Sequence, residues 1–192
     1  MKTICVYLGA NYGNNNSFKQ AVIDLAHEIV ELDLTLVYGG SSLGLMGLLA
    51  TTVKELGGKA IGVITNYLID KEKPLAILDK LYIVDSMQER KQLMQQLADC
   101  FVVVPGGLGT LEEAIETCNA IKIGELNKKI GFINVNGFFD TLFQFIDNCR
   151  DSGFLAHGHF APEVNKNVQA LLKALIQTND VQKIISHIPM LS

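Results

Sequence analysis

Six short apolar runs alternate along the chain with longer segments in which apolar residues recur at helical spacing. The runs lie at about 3–8, 34–38, 59–64, 80–84, 100–104 and 129–135. Unbroken apolar runs are typical of strands buried on both faces, and connecting segments of ten or more residues are typical of crossover helices. The pattern therefore predicts one doubly wound α/β domain over residues 1–192, with a mainly parallel sheet flanked by helices.

The first and last helical segments differ in the strength of their pattern. Segment 17–32 carries a continuous apolar stripe and opens with Ser17, which we expect to be its N-cap. The tail after Phe160 has a weaker pattern that predicts one or two outer helices, at Pro162–Gln177 and Val181–Ile188.

Three segments that follow predicted strands are rich in glycine and small polar residues, at 9–13, 39–47 and 105–110. Loops that follow parallel strands meet at one edge of the sheet, where open α/β folds bind their ligands. Glycines let backbone N–H groups approach an anion, and the following helix presents the positive end of its dipole. The three loops together predict a phosphate-binding site, although any one alone would be read as an ordinary turn.

Two common phosphate-binding motifs are missing from these loops. None ends in the Gly-Lys-Ser/Thr of a Walker A loop, and the first strand is not followed by Gly-x-Gly-x-x-Gly. These absences argue against an NTPase and against a dinucleotide-binding enzyme.

The segment from Ser86 to Met94 predicts a helix with an inward-facing arginine. Ser86 and Glu89 form an S-x-x-E capping box, which places the start of the helix near Met87. On a helical wheel Arg90 falls within the apolar face, and no carboxylate lies three or four residues away to pair with it. We therefore expect Arg90 to meet a distant carboxylate or a bound anion, since a buried unpaired charge is costly. Lys91 lies on the flank of that face, within reach of water or ligand.

Three glutamates follow the third glycine-rich loop, on a helix expected to begin at Thr110. Glu112, Glu113 and Glu116 all lie off its buried stripe, and each is explained in part by the helix dipole. Glu113 is the one aligned with Thr110 and Thr117, on the loop side. The periodicity leaves open which glutamate takes part in chemistry.

Composition limits the classes of partner. The 192 residues carry a net charge of −4 and no basic run, which argues against nucleic-acid binding. Cys5, Cys100, Cys118 and Cys149 lie in apolar or helical segments without metal-type spacing and are interpreted as reduced core residues. The apolar run after Met1 is shorter than a signal segment or a membrane span, so we expect a soluble cytoplasmic protein.

Four motifs together resemble the LOG family, the cytokinin riboside 5′-monophosphate phosphoribohydrolases formerly labelled lysine decarboxylases. They are Tyr38-Gly39-Gly40, Gly44-Leu45-Met46-Gly47, Met87-x-x-Arg90-Lys91 and Pro105-Gly106-Gly107-x-Gly109-Thr110-x-x-Glu113, within a resemblance from about Ile4 to Leu155. The last motif combined with the Arg-Lys pair is specific. The sequence departs from the family pattern at Gln88, at Leu8-Gly9-Ala10-Asn11 and at Ser41.

The resemblance implies a Rossmann-like fold and hydrolysis of AMP or of an N6-modified AMP to free base and ribose 5-phosphate. It places Arg90 and Glu113 as the catalytic pair and implies a homodimer that needs neither a metal nor a cofactor. The expected substrate-binding residues are Gly9, Gly39, Gly40, Met87, Lys91, Gly106, Gly107, Leu108, Gly109 and Thr110.

Alternative functions remain open on the sequence. A nucleotide-binding protein without catalysis would share the same loops. A pyridoxal-dependent decarboxylase would need a Schiff-base lysine at the same edge, for which Lys91 is the evident candidate. A partner-binding groove of methionines is weaker than the core interpretation of those residues. Apolar outer faces of the helices predicted at 44–56 and 110–123 favour a symmetric dimer.

Overall fold

The computed structural model describes residues 2–156 and 161–185, with side chains up to residue 176. The strands are β1 Thr3–Tyr7, β2 Thr35–Tyr38, β3 Lys59–Thr65, β4 Lys80–Val84, β5 Cys100–Val103, β6 Lys129–Ile133 and β7 Glu163–Asn165. The helices are α1 Asn16–Glu31, α2 Gly44–Glu55, α3 Asn66–Glu72, α4 Met87–Leu97, α5 Leu108–Lys122, α6 Asp140–Asp151 and α7 Val168–Ile185, with a 3₁₀ turn at Val135–Gly137.

The seven strands form one sheet in the order β4-β3-β2-β1-β5-β6-β7, and every adjacent pair is parallel. The chain winds outward from β1 to β4 and then crosses to the other side of β1 to begin β5. The strands β1 and β5 are neighbours, and the connections that leave them run to opposite sides of the sheet. Such a switch point opens a crevice at the carboxyl edge of a parallel sheet. The predicted doubly wound, Rossmann-like fold is confirmed.

Helices cover both faces of the sheet and divide the core in two. One core cluster joins one face of the sheet to α1, α2 and α7, and the other joins the opposite face to α4 and α5. The central strands are buried along nearly their whole length, as in Val102 and Val103, which point to opposite clusters. Burial on both faces explains why these strands have unbroken apolar sequences.

The first helix starts slightly earlier than its sequence suggests. The N-cap is Asn15, whose side chain accepts a hydrogen bond from the backbone N–H of Ser17 at 2.9 Å, so the expected cap at Ser17 is wrong. Ser17 lies inside the first turn instead. Asn and Ser are similarly favoured at this position, so composition alone does not distinguish neighbouring candidates.

Helix α5 also begins before its predicted start, at Leu108 rather than Thr110. Gly107 is its N-cap and contributes no side-chain hydrogen bond. The third glycine-rich loop and the first turn of α5 are thus one continuous feature. The N-cap of α4 at Ser86 is confirmed, because Ser86 Oγ accepts from the backbone N–H of Glu89 at 3.2 Å. The Glu89 carboxylate accepts from the backbone N–H of Asp85 at 3.0 Å, so the reciprocal half of the expected capping box is shifted by one residue.

The tail forms one helix, which the prediction of one or two helices allowed, and one strand that was not predicted. Glu163–Asn165 forms strand β7 at the edge of the sheet beside β6, and a single helix runs from Val168 to Ile185. The end of the expected helix Val181–Ile188 lies outside the described residues. A strand of three exposed residues leaves no periodicity to detect, which explains why the sequence pattern missed it.

Two further observations concern the described part of the chain. No helix within it combines the length and apolar composition needed to cross a membrane.

Cys5 and Cys118 are buried, and burial raises the pKa of the Cys118 thiol to about 12. That thiol therefore stays protonated at neutral pH, as expected of a reduced core residue.

Candidate active site

A cavity of about 470 Å³ opens at the carboxyl edge of the sheet, over the switch point between β1 and β5. Its walls come from the loops after these two strands and from the helices α1 to α5. The lining residues are Leu8, Gly9, Ala10, Asn11, Tyr12, Gly13, Phe18, Leu45, Met46, Leu68, Glu72, Met87, Arg90, Pro105, Gly106, Gly107, Gly109, Thr110, Glu113 and Phe138.

On the floor of the cavity beside β5, the backbone at Gly106 is packed too closely for a side chain. The backbone N–H of Gly9 donates to the Pro105 carbonyl at 3.3 Å, which joins the loops after β1 and β5. A Cβ at Gly106 would collide with the Thr110 hydroxyl and the Gly9 nitrogen. The first N–H groups of α5 have no intrahelical acceptor and no capping side chain. This N-terminus is therefore suited to bind an anion.

Arg90 enters the cavity from the first turn of α4 and is only 5% exposed. Its Nε donates to the Val63 carbonyl at 2.9 Å, and its Nη2 donates to the Gly39 carbonyl at 3.1 Å. The Val63 carbonyl lies within β3 and the Gly39 carbonyl directly after β2, so two neighbouring strands hold the guanidinium in position. Its Nη1 lies 3.7 Å from Glu113 Oε1. The expected inward arginine with a carboxylate partner from elsewhere is confirmed.

Glu113 projects from α5 toward the same guanidinium and is 8% exposed. Thr110 and Thr117, one turn on either side, are buried with it, so the expectation that Glu113 lies off the buried face of α5 is wrong. Burial raises the pKa of Glu113 from its usual 4.5 to about 7, and the positive charge of Arg90 offsets only part of that rise. A carboxyl group poised near neutral pH inside a cleft is typical of a general acid or base.

Lys91 makes a separate cluster with the two other glutamates of α5. Its Nζ lies 2.8 Å from Glu112 Oε1 and also binds Glu116 Oε2. The hydrogen bonds that Lys91 Nζ donates to these two carboxylates raise the pKa of Lys91, so its ammonium is protonated at neutral pH. Glu112 and Glu116 are about half exposed. Their negative charges are therefore matched by Lys91 and solvent.

A second carboxylate faces the cavity from the end of α3. Glu72 lines it opposite the glycine-rich floor, and its Oε2 is buried without a hydrogen bond from any described residue. The negative charge of Glu72 is one of the smaller causes that raise the pKa of Glu113. The two carboxyl groups therefore belong to one electrostatic unit.

The cavity contains most of the residues expected from the sequence. Those that line it are Gly9, Met87, Arg90, Gly106, Gly107, Gly109, Thr110 and Glu113. Gly39, Gly40, Lys91 and Leu108 are not among its lining residues in the described chain. Gly39 still acts on the site through its carbonyl, and a Cβ there would displace the guanidinium of Arg90. The direct substrate contacts of these four residues stay predictions.

Several lining residues escaped the sequence analysis. Phe18 was assigned to the core stripe of α1, yet it also packs edge-to-face on Phe138 at the cavity wall. Leu68 and Glu72 lie in a short helix without a recognisable pattern. Finding them required knowledge of which segment covers the carboxyl edge.

Sequence comparisons identify known proteins that are similar to this chain. The family model described as possible lysine decarboxylase matches residues 46–175. The cytokinin riboside 5′-monophosphate phosphoribohydrolase LOG5 of Arabidopsis thaliana is 40% identical over 175 residues, covering 88% of this chain and 77% of the relative. The enzyme of the same name LOG2, also from Arabidopsis thaliana, is 39% identical over 155 residues, covering 81% and 73%.

Solved structures share the fold at low identity. The molybdenum cofactor carrier protein of Chlamydomonas reinhardtii aligns with a TM-score of 0.70 at 20% identity, over 93% of this chain and 98% of that one. The molybdenum cofactor binding protein of Rippkaea orientalis aligns with a TM-score of 0.66 at 16% identity, over 96% and 98%. At these identities the likeness concerns the fold alone.

Proposed function

This chain belongs to the LOG family, and on that premise we propose that it hydrolyses the N-glycosidic bond of a nucleoside 5′-monophosphate. The products are the free base and ribose 5-phosphate. The substrates proposed are AMP and its N6-modified forms, because relatives about 40% identical are named cytokinin riboside 5′-monophosphate phosphoribohydrolases.

The observation that carries the proposal is the position of the Arg90–Glu113 pair beside the anion-binding floor. The N-terminus of α5 supplies unpaired N–H groups at one end of the cavity. Glu113 follows less than two turns later on the same helix and faces the same cavity. A phosphate held at Gly106–Thr110 would therefore place the attached sugar beside the carboxyl group. Binding energy from the phosphate then positions the reacting bond.

The chemistry requires a negative charge and a positioned water. Departure of the base leaves positive charge on the sugar, as in glycoside hydrolysis. Ionised Glu113 stabilises this charge and accepts a proton from water as the water oxygen bonds to C1′. The C1′–N bond breaks, its electron pair passes to the base nitrogen, and the proton on Glu113 then neutralises the base. Atoms and charge balance without a further reactant.

Arg90 acts on this step mainly through Glu113. Its guanidinium is fixed by the carbonyls of Val63 and Gly39. Nη1 donates to Met87 Sδ at 3.8 Å and lies 3.7 Å from Glu113 Oε1. The positive charge lowers the pKa of Glu113 against the larger effect of burial. The pair therefore maintains a substantial ionised fraction near pH 7 within a dry site.

The description of the family model as possible lysine decarboxylase does not fit this site. A pyridoxal Schiff base needs a deprotonated lysine amine facing the cofactor. Lys91 binds Glu112 and Glu116, its pKa is raised, and it does not line the cavity. The geometry thus disfavours Lys91 as a Schiff-base residue.

The direct test is to incubate the purified protein with AMP and with N6-isopentenyladenosine 5′-monophosphate and to follow free base by chromatography. We expect base and ribose 5-phosphate to be released in equal amounts. An Arg90→Ala/Glu113→Gln double variant, prepared identically, controls for contaminating hydrolases. If both nucleotides bind but neither loses its base on long incubation, the protein is a nucleotide-binding protein without this activity.

The proposed enzyme is a homodimer in the cytoplasm. Leu108 and Ile115 lie seven residues apart on one face of α5 and are 87% and 43% exposed. Apolar side chains repeated along an outer helix face favour a symmetric helix-mediated contact. Light scattering coupled to size-exclusion chromatography should give twice the 21.0 kDa chain mass, and Ile115→Asp should shift the population toward the monomer.

A further inference from the structure

Glu72 is an acceptor without a donor in the wall of the cavity. Its backbone carbonyl accepts hydrogen bonds from the N–H and the hydroxyl of Ser42, at 3.1 and 3.0 Å, so the end of α3 is attached to the loop after β2. Its side chain lines the cavity, while Oε2 is fully buried and receives no hydrogen bond from the described residues. A buried acceptor of this kind is costly unless a ligand supplies the donor.

The helix itself gains nothing from this carboxylate. Glu72 is the last residue of α3, where the negative end of the helix dipole disfavours an acidic side chain. No basic residue pairs with it among the described ion pairs. Local stability therefore does not explain a glutamate at this position.

The position of Glu72 across the sheet indicates which part of a nucleotide it meets. The anion-binding floor follows β5, whereas α3 follows β3, and the two strands are three positions apart in the order β3-β2-β1-β5. Adjacent strands are separated by roughly 4.8 Å, so these strand ends are about 14 Å apart. The Arg90–Glu113 pair joins the two sides, because Arg90 is held by carbonyls of β3 and of the residue after β2, whereas Glu113 belongs to α5, the helix that follows β5.

This order matches the order of groups in a nucleoside monophosphate. With phosphate on the floor and the glycosidic bond at Glu113, the base extends toward α3. Leu68 precedes Glu72 by four residues, so both lie on one face of α3, and both line the cavity. An acceptor beside an apolar side chain complements an exocyclic amine that carries an apolar substituent.

We propose that Glu72 accepts a hydrogen bond from the exocyclic N6–H of an adenine base and makes that N–H a requirement for strong binding. The inference rests on the proposed function for the orientation of the nucleotide. It assigns Glu72 as a residue that determines specificity at the base, distinct from the pair that acts at C1′.

The test uses two nucleotides that differ in one donor. N6-methyl-AMP retains a single N6–H, whereas N6,N6-dimethyl-AMP has none. Their affinities are measured by calorimetry in the Glu113→Gln background, so that hydrolysis does not consume the ligand. Turnover of both is measured separately with Glu113 intact.

Two variants of Glu72 and one control complete the design. Glu72→Met preserves much of the side-chain volume and removes the acceptor, whereas Glu72→Gln retains an acceptor oxygen. Asp70→Leu removes an acidic group from an exposed position of the same helix that does not line the cavity. Thermal unfolding of each variant checks that α3 remains folded.

With Glu72 present we expect the N6-methyl nucleotide to bind at least about tenfold more tightly than the dimethyl nucleotide, which is the cost of an unpaired buried acceptor. Glu72→Met should reduce this ratio to within about twofold, while Glu72→Gln and Asp70→Leu should largely retain it. A ratio that survives Glu72→Met, or that is absent with Glu72 present, overturns the proposal.

The two proposals fail separately. Discrimination in binding that depends on Glu72, without release of base when Glu113 is intact, would support the Glu72 contact and contradict hydrolysis. Release of base from both nucleotides without discrimination would support hydrolysis and contradict the contact.

Discussion

Two ionic clusters join helices α4 and α5, and their basic residues are neighbours in the sequence. Arg90 faces Glu113 across 3.7 Å, inside the cavity, where both side chains are nearly buried. Lys91 binds Glu112 and Glu116 on the other side, where both carboxylates are about half exposed. Helices α4 and α5 thus carry one ion pair whose charged groups lie beyond hydrogen-bond distance and one cluster whose charged groups are joined by hydrogen bonds.

The difference between the clusters separates a site from a structural contact. Lys91 is matched by two carboxylates, and solvent completes their hydration, so little remains for a ligand to stabilise. Glu113 is different because burial raises its pKa to about 7 while Arg90 stays beyond hydrogen-bond distance. A buried carboxyl group with a pKa raised in this way is typical of a functional site, where a bound molecule interacts with it.

The largest expected effect comes from Glu113→Gln, which preserves the shape of the side chain and removes its charge. If Glu113 supplies the base and the negative charge near C1′, kcat should fall by about 10³-fold, within the range for loss of a general base. The measurement is release of free base from AMP under saturating substrate. Turnover within a factor of three of the unsubstituted protein would reject the assignment of Glu113.

Arg90→Met is expected to have the second largest effect and to change the pH dependence. Loss of the guanidinium removes a charge that lowers the pKa of Glu113, so that pKa should rise above 7. The rising limb of kcat/KM should move from near pH 7 to higher pH, and activity at pH 7 should fall about 10²-fold. Arg90→Lys retains a positive charge and should show a smaller shift of the limb. An unchanged limb in Arg90→Met would contradict the coupling.

Glu113 should also make the folded protein less stable as pH rises. Its pKa is raised on folding from 4.5 to about 7, so the folded state binds more protons than the unfolded state between these values. Stability is therefore lost through this window and is lowest above pH 7. At pH 8 Glu113→Gln should unfold at a higher denaturant concentration than the unsubstituted protein. Its free energy of unfolding should be greater by roughly 3 kcal/mol before other contacts adjust.

The check on that stability difference is its dependence on pH. The advantage of Glu113→Gln should shrink as pH falls and nearly vanish at about pH 3.5, below the pKa of the carboxyl in both states, where the glutamic acid is protonated whether the chain is folded or unfolded. A difference that stays constant across this range would attribute the effect to packing instead of ionisation.

The two clusters were not equally predictable from the sequence. The inward direction of Arg90 follows from the helical wheel of a segment whose start is fixed by Ser86 and Glu89, so a local pattern was sufficient. The partners of Lys91 were not found, because contacts between helices depend on how α4 and α5 pack across the sheet. The choice of Glu113 came from the family resemblance, and the structure gives it an independent physical reason through its burial beside Arg90.

The central strands were predictable because their apolar sequences are long, whereas β7 and α3 were not predictable because they are short. Each central strand is an apolar run long enough to recognise, and the glycine-rich loops locate the carboxyl edge. Glu163–Asn165 is three exposed residues, and α3 is a seven-residue helix without a buried side chain. Such elements take their conformation from the surfaces they cover and have no clear sequence pattern. The structure was therefore needed to identify Glu72 as a residue of the site.

The smallest expected effect tests how far the matched cluster acts on the site. Glu112 and Glu116 both bind Lys91, but only the charge of Glu112 is among the causes that raise the pKa of Glu113. Glu112→Gln should therefore move the rising limb of kcat/KM to lower pH by less than about one unit, since solvent screens a half-exposed charge. Glu116→Gln, the matched control, should leave the limb in place, and each variant should lose at most about 1 kcal/mol of stability. Equal shifts in both variants would mean that the cluster acts on Glu113 as a whole through Lys91, and the separation between the two clusters would then be one of degree.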